Sequence, residues 1–210
     1  MDIAVKKLVN KARPKTYALL KTRRFYYTAD LVTQFKTHVW SILEGCISAI
    51  YHAADTTLAP LDRVQTMFVH SLNLSEADAF LNYNMAPLRL RRDIGMLGLL
   101  HKCNLGTAHN RLLNLFPPLT TESMPLHSTR WSNKRHNRQL LERCTGNFLQ
   151  ITRRSIFGLV RVYNFLHADV VWAKTVTELQ EALTEQARTA CMEGKHNWAT
   201  MFCPRQVQQG

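Results

Sequence analysis

The sequence predicts a mainly α protein: a helical bundle, plus a second small helical unit joined to it by a long basic loop. Three observations carry that prediction. Apolar residues recur at spacings of three and four over residues 30–53 and again from Ile156 onward, the period of a helix with a buried face. Gly and Pro are scarce, 8 and 7 in 210 residues, so long regular elements outweigh tight turns. Between the periodic blocks, residues 117–147 open on Pro117-Pro118 and continue polar and basic, with no sustained apolar period. The expected organisation is a helical bundle over 1–116, a basic, poorly ordered connecting loop over 117–147, a helical unit over 148–191 and a frayed tail over 192–210. Connections this long are functional or disordered, and this one has room for a short strand pair.

Residues 5–24 interleave Lys6, Lys7, Lys11, Arg13, Lys15, Lys21, Arg23 and Arg24 with Val5, Leu8, Val9, Ala12, Leu19 and Leu20. Pro14 lacks the N–H a helix interior needs, so two short helices with a break are expected. Residues 30–53 hold the clearest helix: Leu31, Phe35, Val39, Ile42, Cys46, Ala49 and Ala53 form a stripe that Val32, Leu43 and Ile50 widen. A stripe this wide belongs to a helix buried on more than one side, and Asp30 is its candidate cap. Asp55-Thr56-Thr57 offers the next cap, with Pro60 in the first turn and Leu61, Val64, Phe68 and Leu72 as the core face. Ser75-Glu76-Ala77-Asp78 has the pattern of a capped N-terminus with early acids. Pro87 opens a helix with Leu90, Ile94, Leu97 and Leu100 inward and Gly106 as a left-handed stop. A short piece from Thr107 runs through Leu112, Leu113 and Phe116. After the connection, Ile156, Leu159, Val160, Tyr163 and Leu166 restore the period. Thr175 then caps a last amphipathic helix through Val176, Leu179 and Leu183 to about Cys191.

A hydrophobic fraction of 46% supports a real core, and 20% charged residues is ordinary for a globular chain. The five cysteines are odd in number and scattered, which fits a reducing compartment better than a disulfide framework. The start, Met1-Asp2-Ile3-Ala4-Val5-Lys6-Lys7, has no apolar run of secretory type. No stretch of 18 apolar residues occurs, as a membrane span would need. A nuclear or cytoplasmic protein is therefore expected, neither secreted nor bound to membrane.

The charge is unevenly spread. Residues 1–161 carry 23 Lys and Arg against 10 Asp and Glu, while residues 162–210 carry 4 against 5. A basic body of this kind attracts a polyanion. Catalytic chemistry finds no footing. Tyr27-Thr28-Ala29-Asp30 has one acid where two-metal polymerases need converging carboxylates, and no two acids are adjacent anywhere. Neither common glycine-rich phosphate cradle is present. Cys191, His196 and Cys203 could supply three zinc ligands, one short of a structural site; a loose tail with free thiols is the plainer reading. No cofactor is implied.

Three basic clusters remain. Lys21, Arg23 and Arg24 adjoin Phe25, Tyr26 and Tyr27; Arg89, Arg91 and Arg92 stand at a helix start; Arg130, Lys134, Arg135 and Arg138 lie in the connection with Trp131. Cations neutralise phosphates and release counterions, and flat rings stack on unpaired bases. Each cluster alone could be a solvated face; three of one sign favour a polyanion-binding surface.

Three ordered segments resemble the region downstream of the palm in non-LTR (LINE-like) retrotransposon reverse transcriptases. Leu58-Ala59-Pro60-Leu61-Asp62-Arg63-Val64-Gln65 is similar to a Leu-x-x-Leu-Asp-x-Val-Gln signature. Ala86 to Lys102, with Pro87-Leu88 and Arg91-Arg92, is similar to the family's Pro-Leu-x-x-Arg-Arg helix. Arg154 to Leu166 followed by Val176, Leu179 and Leu183 is similar to its closing element and last helix, with Tyr163 in place of a Trp and His167 in place of a Pro. The resemblance covers roughly residues 10–190. It implies a detached thumb and post-thumb segment of an RNA-directed DNA polymerase, its catalytic aspartates lying in a palm upstream. Such a segment holds RNA or a primer–template duplex, works beside a separate palm and fingers polypeptide, and is not itself an enzyme. A helical interaction scaffold, or a degenerate fragment with no selected function, is the alternative.

Overall fold

A computed structural model describes residues 1–119, 136–142, 152–153 and 155–205. The protein is mainly α-helical, a helical bundle; the only β pairing among the described residues is an isolated antiparallel bridge between Pro118 and Leu140. The chain divides into two compact units. The first joins Met1–Arg92 to Ala187–Met201, and the second joins Asp93–Gln186 to the stretch from Phe202.

In the first unit, α1 (Asp2–Lys21) is one uninterrupted helix with Pro14 inside it. The expected break is absent for a local reason. Asn10, whose carbonyl loses its partner at Pro14, lies with Pro14 on the exposed side, where water can solvate the carbonyl. The opposite side buries Val5, Val9, Ala12 and Thr16 and packs mainly on α5 (Asp55–Ser71). The expected 30–53 helix is also revised. It is divided into α2 (Thr28–Phe35), a π-helical segment Lys36–Trp40, α3 (Ser41–Glu44) and α4 (Ile47–Ile50). Hydroxyls bond back one turn at three successive positions: Thr33 to Ala29 O at 2.9 Å, Thr37 to Thr33 O at 3.0 Å and Ser41 to Thr37 O at 3.1 Å. Such bonds slightly weaken and bend a helix, and in the π-helical turn Val39 and Trp40 are both buried. Tyr27, not Asp30, is the N-cap of α2, and Asp30 sits inside the first turn.

Helix α5 likewise starts from Ala54 as N-cap, so Asp55 is within its first turn and Pro60 lies deeper than expected. Its core face is Leu58, Leu61, Val64 and Phe68, and Phe68 stacks on Phe35 with ring centroids 4.2 Å apart. Helix α6 (Glu76–Tyr83) has a full capping box. The Ser75 hydroxyl accepts from the Asp78 amide at 3.0 Å and the Asp78 carboxylate accepts from the Ser75 amide at 3.3 Å. The Ser75 hydroxyl, then its amide, hold the Asp78 carboxyl below the usual carboxylate range.

Helix α7 (Leu88–Asn104) ends as anticipated, with Gly106 at φ 71°. The second unit holds α8 (Asn110–Leu115), α9 (Ile156–Asn164) and α10 (Ala168–Val171). Its buried residues include Leu97, Leu100, Phe116, Leu159, Tyr163, Val171, Leu179 and Leu183. Helix α11 (Val176–Met192) starts at Thr175, whose hydroxyl accepts from the Glu178 amide at 3.1 Å. The described end of the connection, 136–142, is packed: Leu140 is fully buried and exchanges two hydrogen bonds with the Asn164 side chain, at 2.8 and 2.9 Å. The stretch from Glu193 is not frayed through Arg205. Trp198 stacks on Phe80 at 5.4 Å within the first unit, and Ala199 and Phe202 are buried. Apolar side chains spaced along the tail supply that anchorage. Among the described residues no helix is long and apolar enough to cross a membrane.

Candidate nucleic-acid interface

The apolar stripe of α1 recurs at Val5, Val9, Ala12 and Thr16, which puts Lys7, Lys11 and Lys15 on the opposite, exposed face at a spacing of four. Lys21 is exposed as well. With a rise of about 1.5 Å per residue, Lys7 to Lys21 spans about 21 Å. Residues 1–27 hold eight Lys and Arg against one acid, Asp2, which pairs with Lys6 at 2.7 Å on the surface.

The helix then passes into a turn that its own backbone holds. Thr22 N donates to Leu19 O at 3.1 Å, Phe25 N to Thr22 O at 2.9 Å, and Tyr27 O accepts from the Asp30 and Leu31 amides at 3.1 Å. The core contacts stop at Leu19 and Leu20 and resume at Leu31. Apart from the half-buried Thr22 and Thr28, the side chains between are left to solvent. Phe25 is 82% exposed, Tyr26 56% and Tyr27 85%, and Arg23 and Arg24 are exposed beside them. Lys21, Arg23, Arg24 and Tyr26 are therefore all solvent-exposed where α1 ends.

The second predicted cluster has another role. Arg89 pairs with Glu76 at 2.7 Å while still nearly half exposed. Arg91 grips the Glu44 carboxylate through Nε and Nη2, and its guanidinium lies 3.8 Å from the centroid of the Trp40 ring. Arg92 is bidentate on Asp62, at 2.6 and 2.8 Å, and is buried. A buried guanidinium cannot track a phosphate strand, so Arg92 does not belong to an interface; it forms a part-buried ion pair between α5 and α7. Beside it, Gln65 accepts from Trp40 Nε1 at 2.8 Å and donates to Ala86 O at 2.9 Å.

Two further cations in this unit serve the C-terminal end of α6. Lys36 donates to Tyr83 O at 2.5 Å, and Arg188 donates to Leu81 O at 3.0 Å and to Asn84 Oδ1 at 2.8 Å. Cations there oppose the partial negative charge of the helix end. Burial, then the neighbouring Arg91 and Arg188, lower the Lys36 pKa from its ordinary value.

Of the third cluster, Arg130, Lys134 and Arg135 lie outside the described residues, as does Trp131. Arg138 is committed within the second unit: its Nη1 donates to Val171 O at 3.1 Å and Ala173 O at 3.2 Å, and its guanidinium lies 4.6 Å from the Trp172 ring centroid. In that unit His101 bonds Tyr163 Oη at 2.9 Å and Ala173 O at 3.1 Å. Burial lowers the His101 pKa and raises that of Tyr163.

The three candidate zinc ligands differ in exposure. Cys191 is buried, with its thiol pKa raised by that burial; His196 is exposed and Cys203 is half-buried. Among the described residues no group of three or more His, Cys, Asp or Glu is placed to hold a metal ion.

No family model, curated protein or solved structure matches the chain.

Proposed function

We propose that this chain is a non-catalytic nucleic-acid-binding protein, working as a thumb-like helical segment beside a polymerase palm carried elsewhere. The observation that carries the reading is the surface from Lys7 to Tyr27, where an unpaired row of lysines runs into a turn presenting two arginines and three rings. Cations on such a face exchange small counterions for phosphates. Two of the segments that carry the resemblance to reverse transcriptases, Leu58–Gln65 and Ala86–Lys102, meet through Asp62–Arg92 and Gln65–Ala86.

The test is binding of the full chain to a primer–template duplex and to a stem-loop RNA across a salt series. The expected outcome is affinity that falls steeply with salt and weakens when Lys21, Arg23 and Arg24 are replaced by Ala. Absence of binding at low salt would sink the proposal. Self-association that persists in high salt without nucleic acid would favour a helical interaction scaffold instead.

A further inference from the structure

We infer that the turn from Lys21 to Tyr27 takes single-stranded nucleic acid in preference to duplex, stacking unpaired bases on Phe25 and Tyr27 while the lysines of α1 follow the phosphates. The inference rests on the nucleic-acid reading above and narrows it to one substrate class.

Surface aromatic residues are ordinary one at a time. Three in succession, at 82%, 56% and 85% exposure, are not. The fold does not need these rings. The turn is closed by main-chain bonds from Phe25 N and to Tyr27 O, and the neighbouring core draws on Leu19, Leu20, Leu31 and Val32. Ring faces open to water are suited to a flat, hydrophobic partner, and the cations flanking them select one that is also anionic. An unpaired nucleotide has both properties in one repeat.

Duplex fits poorly. Its base faces are closed by stacking, leaving groove edges and phosphates, which a short turn is not shaped to read. The rings would stay in water while only the cations worked. A membrane surface is also anionic, but its binders insert a continuous apolar face. The apolar residues of α1 are committed to the core, and its outward face carries Lys7, Lys11 and Lys15. In a single strand, by contrast, successive bases can splay onto the turn while the sugar-phosphate chain runs back along the helix.

The experiment measures the full chain against four probes: an oligoadenylate RNA, an abasic strand of equal length, a blunt duplex with the same number of phosphates, and vesicles containing phosphatidylserine. The oligoadenylate should bind about 10-fold tighter than the abasic strand or the duplex, the scale of base–aromatic stacking. The Phe25→Ala/Tyr27→Ala double variant should erase that difference, keep the salt-dependent binding of the abasic strand, and melt as the native protein does. Phe25→Trp/Tyr27→Trp should restore the difference. Equal affinity for oligoadenylate, abasic strand and duplex would overturn the stacking inference and leave the nucleic-acid reading standing. Binding to none of the three at low salt would bring down both. Vesicle binding tighter than RNA binding, abolished in the double alanine variant, would assign the rings to a lipid surface and overturn the inference.

Discussion

Arg92 and Arg24 carry the same charge and have different physical roles. Arg24 lies on a turn outside the core, and it remains exposed. Arg92 lies on a helix whose neighbours are buried, and Asp62, 30 positions earlier, meets it with both carboxylate oxygens. No local pattern distinguishes the two, because the partner that decides the outcome is brought in by the packing of α5 on α7. A hint was present in Asp62 itself, an acid between the core positions Leu61 and Val64 of an amphipathic helix. The Arg92 side chain is 8% exposed and that of Asp62 34%, so removing the carboxylate strands a charge inside. Asp62→Ala should cost about 2 kcal/mol, between the values for exposed and fully buried pairs, a fall in Tm of about 4–8 °C for a chain this size. Asp62→Leu/Arg92→Met should recover much of that loss, since replacing both partners leaves no charge behind. Arg24→Ala should leave the melt unchanged within about 0.5 kcal/mol. Calorimetry on the three variants checks the set; a stable Asp62→Ala protein would mean the pair is not buried in solution.

At the scale of elements, the apolar period located most helices and could not locate their irregularities. Pro14 is accommodated because its cost falls on the solvated side of α1, and that side is known only once Val5, Val9 and Ala12 find α5. The π-helical segment at Lys36–Trp40 hides in a sequence that reads as plain helix, because the apolar period does not register one wider turn. The packing of 136–142 was equally hidden, since a polar stretch gives no sign that His136 and Leu140 are buried. His101 gives this unit a pH dependence. Burial is the main cause of its lowered pKa, with Arg138 acting in the same direction and the Ala173 carbonyl and Glu178 opposing; Tyr163 Oη is its other hydrogen-bond partner. The folded state thus resists a proton that the unfolded chain accepts near the ordinary value of 6.5. Stability is therefore full above that value and declines as pH falls below it, until the folded-state value is passed. Tm should drop between about pH 7 and about pH 5. His101→Gln, which keeps a donor and an acceptor without the titration, should be less stable at neutral pH yet show a shallower drop. An identical slope in the variant would assign the acid sensitivity to other groups.

For the whole molecule, the question is whether net charge or its placement governs binding. The excess of +12 was legible at once, and so was its confinement to residues 1–161. Placement was not, because the sequence weights all three clusters alike. The fold then spends Arg91, Arg92 and Arg138 on internal partners and leaves Lys21, Arg23 and Arg24 to the surface. Two triple variants separate the cases. Lys21→Ala/Arg23→Ala/Arg24→Ala and Lys102→Ala/Arg111→Ala/Lys174→Ala each remove three positive charges from exposed positions. Their long-range fields differ little once screened beyond about 10 Å at 0.1 M salt. If the strand lies along α1 and its turn, the first variant loses three phosphate contacts. The slope of log K against log salt should then shrink by about 2, from the coefficient of about 0.7 per contact for single strands. The second variant should keep the native slope and lose only a small, salt-independent factor in affinity. Equal loss of slope in both would mean that the polyanion samples the whole basic body, and that the turn is one patch among several rather than the site.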